Sequence, residues 1–284
     1  AEIADNKGVG TIKDNDLPSI EITSSQTTEG DYVEFVVSLT NPSTENITVS
    51  LTPTAGTATE NDDYNPQVEV LINGVWTPAS EAVIPAGETQ IQARIKTQED
   101  DVSEGKEEFT LTATVLDGAT VNGTVTGIGT IIDDDGMPSI LIGDAVLDEA
   151  NGVMVFKVSL TNPSSVAVTV DFATQDDTAT AGKDYLSTTG TITFPANTTV
   201  QYITVPVLDD NVYENDESFN VILTNAVNAE IANDLGVGTI KDNDLPTIEI
   251  TNGQTTEGDY VDFVISLTNP SDKDITVSLT PTAG

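Results

Sequence analysis

The chain has 284 residues, with 47 acidic side chains against 9 basic ones, a formal net charge of −38, no cysteine and no histidine. That balance excludes nucleic acid and anionic membrane as partners, because both are held through Lys/Arg patches. The missing residue types exclude disulfides, thiolate metal sites, the Ser-His nucleophile pair and the commonest zinc ligand, and no apolar run reaches the length of a membrane-spanning helix.

In chain order, the first element is "GVGTIKDND" (8–16), a short apolar run ending in a knot of acids. A first strand follows at "IEIT", closed by "TTEG". "YVEFVVSL" then alternates with period two, placing Val33, Phe35, Val37 and Leu39 on one face. The "NG" pair at Asn73–Gly74 predicts a hairpin turn. "TQIQARIKT" turns Ile91, Ala93 and Ile95 inward, and "EEFTLTATV" does the same with Phe109, Leu111, Ala113 and Val115. "GIGTIIDDD" (127–135) repeats the opening run, and "FKVSL" begins the series again with Phe156, Val158 and Leu160. "GVGTIKDND" returns unchanged at 236–244. Turn signals such as "TNPS", "NDDY" and "PAGE" separate short strands, the pattern of an all-β sandwich. No amphipathic helix is predicted.

The repetition extends well beyond these runs. Residues 17–56 and 245–284 match at 32 of 40 positions, and residues 1–16 match 229–244 at 13 of 16. Two unlike modules therefore alternate. Residues 1–16 read as the C-terminal strand of a preceding B-type repeat, 17–136 as repeat A, 137–244 as repeat B, and 245–284 as the N-terminal part of a following A-type repeat. Such an array predicts a window on a longer, polymer-like chain.

Four acidic clusters recur once per module. The first holds Glu29 or Glu149, and the second Asp63 or Asp184. The third holds Glu99, Asp100, Asp101, Glu104 and Glu107, or Asp209, Asp210, Glu214 and Glu217. The fourth is the terminal knot, Asp133, Asp134 and Asp135, or Asp242, Asn243 and Asp244. The loops of a sandwich collect at its two ends. If all four clusters share one end, the carboxylates need cations. Ca2+ fits best, being hard, taking 6–8 oxygen ligands and tolerating irregular loops, whereas Mg2+ keeps its water.

"TATAGKDYLSTTGTITFPANTTVQYITVPVLDDNVYENDESFNVILTNA" (178–226) resembles a Calx-beta domain, through "TAxxGxDY", "DDxxxExxE" and the closing "GxGTIxDxD". The resemblance covers essentially the whole chain. It implies tandem immunoglobulin-like Greek-key β-sandwiches, calcium as the bound ion, and the acids named above as its ligands. Two departures stand out: Asn243 replaces a carboxylate, lowering the ligand charge of B, and Glu99 replaces the loop's first Asp in A. Asp14 and Asp16, or Glu257 alone, are not expected to form complete sites.

Tyr64 and Tyr185 are read as packing residues. Trp76 is read as structural rather than as a sugar platform, and the Asn-x-Thr matches at 46–48, 122–124 and 197–199 as chance. No catalytic residue is assigned, and an enzyme is not expected. Expected instead is a calcium-rigidified stalk or filament at a cell surface, extracellular, bacterial and adhesion-related. Its partners would be neighbouring repeats and possibly other copies of the chain. An adhesive ligand-binding module and a calcium sensor are the alternatives.

Overall fold

The computed structural model describes residues 7, 9–11 and 16–282. The strand expected before residue 16, Asp14 included, falls largely outside them. The chain divides into two compact units, Ala1–Asp135 and Gly136–Gly284.

The first unit contains β1 (Ile20–Ile22), β2 (Ser25–Thr28), β3 (Tyr32–Leu39), β4 (Ile47–Ala55), β5 (Tyr64–Ile72), β6 (Val75–Pro78), β7 (Glu81–Ile84), β8 (Gln90–Thr97), β9 (Glu107–Asp117) and β10 (Thr124–Ile132). They form two five-stranded sheets, ordered β1-β3-β8-β5-β6 and β2-β10-β9-β4-β7. The alternating residues of β3, β8 and β9 face inward as their period predicts, and Val33, Phe35, Val37, Phe109 and Leu111 are fully buried. The hairpin expected at Asn73–Gly74 joins β5 to β6, with Ile72 opposite Val75 and both turn residues at positive φ (51° and 80°).

In the second unit, β11 (Ser139–Ile142), β12 (Ala145–Asp148), β13 (Val153–Leu160), β14 (Val168–Asp176), β15 (Thr189–Phe194), β16 (Val200–Pro206), β17 (Glu217–Val227), β18 (Glu230–Asn233) and β19 (Leu235–Lys241) repeat the architecture. The sheets are β16-β13-β11-β18 and β12-β19-β17-β14-β15. A single 3-10 turn, Glu149–Asn151, follows β12. Residues 245–282 contribute β20 (Ile248–Ile250) and β21 (Ile265–Leu267), paired antiparallel.

The sequence predicts one opening strand per module, but the structure has two. β1 pairs with β3 in one sheet, and the chain then crosses so that β2 runs parallel to β10 in the other. β11 and β12 divide in the same way. Period-two reading misses the crossing because inward residues alternate on both sides of it.

Each core is built on the same three rings. Tyr64 stacks on Phe109 at 4.4 Å, and Phe35 meets Phe109 edge-on at 6.1 Å. Tyr185, Phe219 and Phe156 repeat this at 4.2 and 5.8 Å. The second glycine of each "GxGTI" run lies against this trio. A Cβ at Gly129 would stand 2.6 Å from the Phe109 ring, and one at Gly238 would stand 2.7–2.8 Å from Met154, Phe156 and Phe219. Glycine is required there by the close approach of the rings, not by its backbone angles.

Candidate metal centres

Strand pairing explains why distant acids meet. β2 and β10 run parallel and in step, with Thr28 opposite Ile132, so the next residues, Glu29 and Asp133, leave the sheet side by side. The Glu29 N–H donates to the Ile132 carbonyl at 3.1 Å. β9 is antiparallel to β10, so its first residue, Glu107, lies opposite Ile131. β5 begins opposite the end of β8, with Tyr64 facing Thr97, which sets Asp63 beside the β8–β9 loop. All four acidic clusters thus reach one end of the sandwich. The second unit repeats the arrangement: Asp148 faces Lys241 in the parallel pair, bringing Glu149 to Asp242, and Glu217 lies opposite Ile240.

The acids gather into small groups, each offering carboxylate oxygens within 4.8 Å of one another. In A these groups are Glu29/Asp100/Asp135, Glu29/Glu99/Asp134 and Asp63/Glu104/Glu107. In B they are Glu149/Asp209/Asp244 and Asp184/Glu214/Glu217. Oxygens on opposite sides of one Ca2+ stand about 4.6–5.2 Å apart, given bonds of ~2.3–2.6 Å, so each group is compact enough to share an ion. Asp133 joins none of these groups but lines the same cavity as Asp63, Glu104 and Glu107. Asp242 lines the corresponding cavity of B and accepts from the Glu214 N–H at 3.0 Å.

Asp101 and Asp210 also stay outside the groups. Asp210 instead shapes its loop by accepting from the Val212 N–H at 2.6 Å, as Asp100 does from Val102 at 2.7 Å. Asn243 is exposed, and its backbone N–H donates to Glu149 at 3.2 Å. The Glu29/Glu99/Asp134 group of A has no counterpart among the groups of B, where Asn243 stands in place of the Asp134 carboxylate. Glu257 is exposed and belongs to no group.

Tyr64 and Tyr185 act as the anchors expected of them. Each is buried in its core, and the acid just before it is fixed by the loop: Asp184 accepts from the Thr180 N–H at 2.7 Å, and Asp63 from the Thr59 hydroxyl at 2.8 Å. Asp62 and Gln98 line the cavity of A and were not among the expected ligands. The "NDDY" stretch carries two adjacent acids, and its alignment with "GKDY" singles out only the second. Trp76 is part of a cation–π stack, with the Arg94 guanidinium 4.3 Å from its ring and 3.8 Å from that of Tyr32.

The electrostatics of these groups favour a cation. Glu29 and Glu149 are only 8% and 6% exposed, yet Glu29 Oε1 has no hydrogen-bond partner. Glu107 Oε2, Asp133 Oδ1, Asp135 Oδ2 and Asp244 Oδ2 are likewise buried and unpartnered. The ion pairs seen among the described residues, Arg94–Glu69 and Lys106–Glu108, involve none of these acids. Burial, followed by the charges of Asp133, Asp100 and Asp135, pushes the Glu29 carboxyl up to about 8. Burial and the hydrogen bond with Asp63 push Glu107 to about 8. Burial is the leading cause again for Glu149 and Glu217, both raised to about 7. Unpartnered buried oxygens among like charges are the donor set of a hard cation, and the residues present fit one.

A family model described as the Calx-beta domain matches residues 13–135 and again 133–244. Over 68 residues the chain is 46% identical to sodium/calcium exchanger 1 of Rattus norvegicus, covering 24% of this chain and 7% of the exchanger. It is 30% identical over 158 residues to adhesion G-protein coupled receptor V1 of Danio rerio, covering 47% of this chain and 2% of the receptor. The chain thus spans less than a tenth of the length of these relatives. Among solved structures, the apo form of the Calx CBD1 domain is 26% identical over 38% of this chain and 100% of that one, with a TM-score of 0.37. CBD12 from CALX1.2 is 20% identical over 79% of this chain and 99% of that one, with a TM-score of 0.36. Since the two family matches together take in most of its length, this chain belongs to the Calx-beta family, with two such domains in tandem.

Proposed function

We propose that the chain is a calcium-binding structural repeat, part of a long extracellular stalk or filament that calcium stiffens. The observation carrying this reading is Glu29, a buried carboxylate that has one oxygen without a hydrogen-bond partner and that groups with Asp100 and Asp135. Two carboxylates ~4 Å apart repel by about 1 kcal/mol in bulk water and about 4 kcal/mol at the effective dielectric of a protein surface. Several at one end of a sandwich would loosen the loops that carry them, and Ca2+ converts the repulsion into coordination.

The mechanical role rests on the array. Repeat A spans residues 17–136 and repeat B residues 137–244, and copies 228 residues apart are nearly identical, as suits a spacer without a unique site. Few residues separate each knot from the next "PS" or "PT", and Pro138 and Pro246 hold the preceding residues extended. A cell surface, bacterial origin and adhesion-related use fit such an array, with neighbouring repeats as partners. Similarity to a sodium/calcium exchanger favours a second reading, a calcium sensor, which would require a partner that calcium moves.

The test is calcium titration by calorimetry, paired with thermal melting in calcium and in chelator. At calcium about 100-fold above its dissociation constant, one site adds about 2.7 kcal/mol of stability. Identical melts in calcium and chelator would refute calcium binding.

A further inference from the structure

In the second unit, repeat B is joined to the opening of the following A-type repeat by a small set of contacts. The Tyr213 N–H donates to the Pro270 carbonyl at 2.9 Å, and the Asp272 N–H donates back to the Tyr213 carbonyl at 3.1 Å. The Lys273 ammonium donates to the Glu214 carbonyl at 2.6 Å and lies 4.1 Å from the centre of the Tyr213 ring. Asn269 donates to the carbonyl of Asp244, the last acid of the knot.

We propose that Tyr213 and Lys273 form a charge-coded latch between successive repeats, closing only where a B-type loop bearing Tyr213 meets an A-type "TNPS" loop followed by a cation. The repeats themselves provide the argument. Between residues 17–56 and 245–284 only eight positions differ, and three of them are consecutive: Thr44, Glu45 and Asn46 become Asp272, Lys273 and Asp274. Divergence therefore concentrates in the loop that touches the neighbouring repeat.

The loop's own conformation does not change. The Glu45 N–H donates to Ser43 Oγ at 3.1 Å, and the Lys273 N–H donates to Ser271 Oγ at 3.0 Å. Asn41 holds the Asp16 carbonyl just as Asn269 holds that of Asp244. The backbone is thus kept while the charge at the contact reverses. Glu45 could neither donate to a carbonyl nor sit favourably over a ring. On the other side of the contact, repeat A has Ser103 where B has Tyr213, so its loop offers no ring. The latch would therefore mark particular junctions of the array rather than all of them. Lys273 is one of only nine basic residues in the chain, and here it meets a carbonyl and a ring instead of the abundant carboxylates.

The inference rests on the tandem-repeat reading but not on calcium occupancy. Hydrogen–deuterium exchange on the full chain tests it, following the amides of Tyr213 and Asp272, which bond across the junction. In Lys273→Glu, which installs the residue of the first copy, both amides should exchange about tenfold faster or more, since hydrogen bonds to charged groups and cation–π contacts are both lost. Lys273→Arg should keep them near the parent rate. Unchanged exchange in Lys273→Glu, or equally fast exchange in Lys273→Arg, would overturn the latch. Protection in β13 and β17 shows that B stays folded. Absence of calcium binding in the parent would overturn the calcium reading alone.

Discussion

Glu29 shows how a single side chain reports on the whole site. It follows β2, is buried by the parallel pairing with β10, and belongs to two of the three acid groups in A. Glu29→Gln keeps its shape and removes its charge. Without metal this should raise the melting temperature of A, because a buried repulsion is relieved. In calcium it should lower it, with affinity weakened about tenfold or more as ligand charge falls. Equal shifts of the same sign in chelator and in calcium would contradict the assignment. The pH dependence follows from the raised carboxyls. The ordinary value of 4.5 rises to about 8 at Glu29 and Glu107 and to about 7 at Glu149 and Glu217. The folded state therefore favours the protonated forms. The stability this gives is complete below the ordinary value and is lost as pH rises through about 7 to 8. Chelated protein should melt higher near pH ~5 than near pH ~8.5. Calcium should narrow or reverse that difference, because it binds the ionised form. Differential scanning calorimetry across this range checks the sign.

At the level of strands and loops, the acids depend on the elements that carry them. The terminal knot, the β8–β9 loop and its counterpart before β17 were legible in the sequence because the same acids recur at the same spacing in both modules. Their convergence was legible only in part. It depends on the parallel β2–β10 and β12–β19 pairs, which arise where the opening strand changes sheets, and neither "ITSSQTT" nor "LIGDAVL" marks that crossing by its periodicity. The split of each cluster into small groups was not legible either, because it depends on which oxygens point inward. Within B, Glu214→Ala and Glu217→Ala should each weaken calcium binding at the Asp184 group and leave A unaffected; titration calorimetry resolves the two modules. The glycine of each final strand gives an independent check on packing. Gly129→Ala and Gly238→Ala should destabilise their own modules by roughly 1–3 kcal/mol through overpacking against the aromatic trio. Urea unfolding measures this, and a neutral effect would mean that the rings yield.

At the scale of the whole chain, alternation of two modules was plain from the sequence, since an offset of 228 residues superimposes long identical runs. The acid-rich end of each module adjoins its terminal knot, which leads directly into the next repeat. The proposed stalk rests on calcium held by the knot restraining the short linker that follows it. The "TNPS" loops assist from the other side. Asn162 donates to the Gly136 carbonyl at 3.0 Å, and Asn269 donates to that of Asp244, so the short linkers are held by the module they enter. Small-angle X-ray scattering on the full chain, in excess calcium and in chelator, tests the calcium-stiffened stalk most directly. A longer maximum dimension and a more rod-like distance distribution in calcium are predicted. Superimposable curves under the two conditions would contradict it.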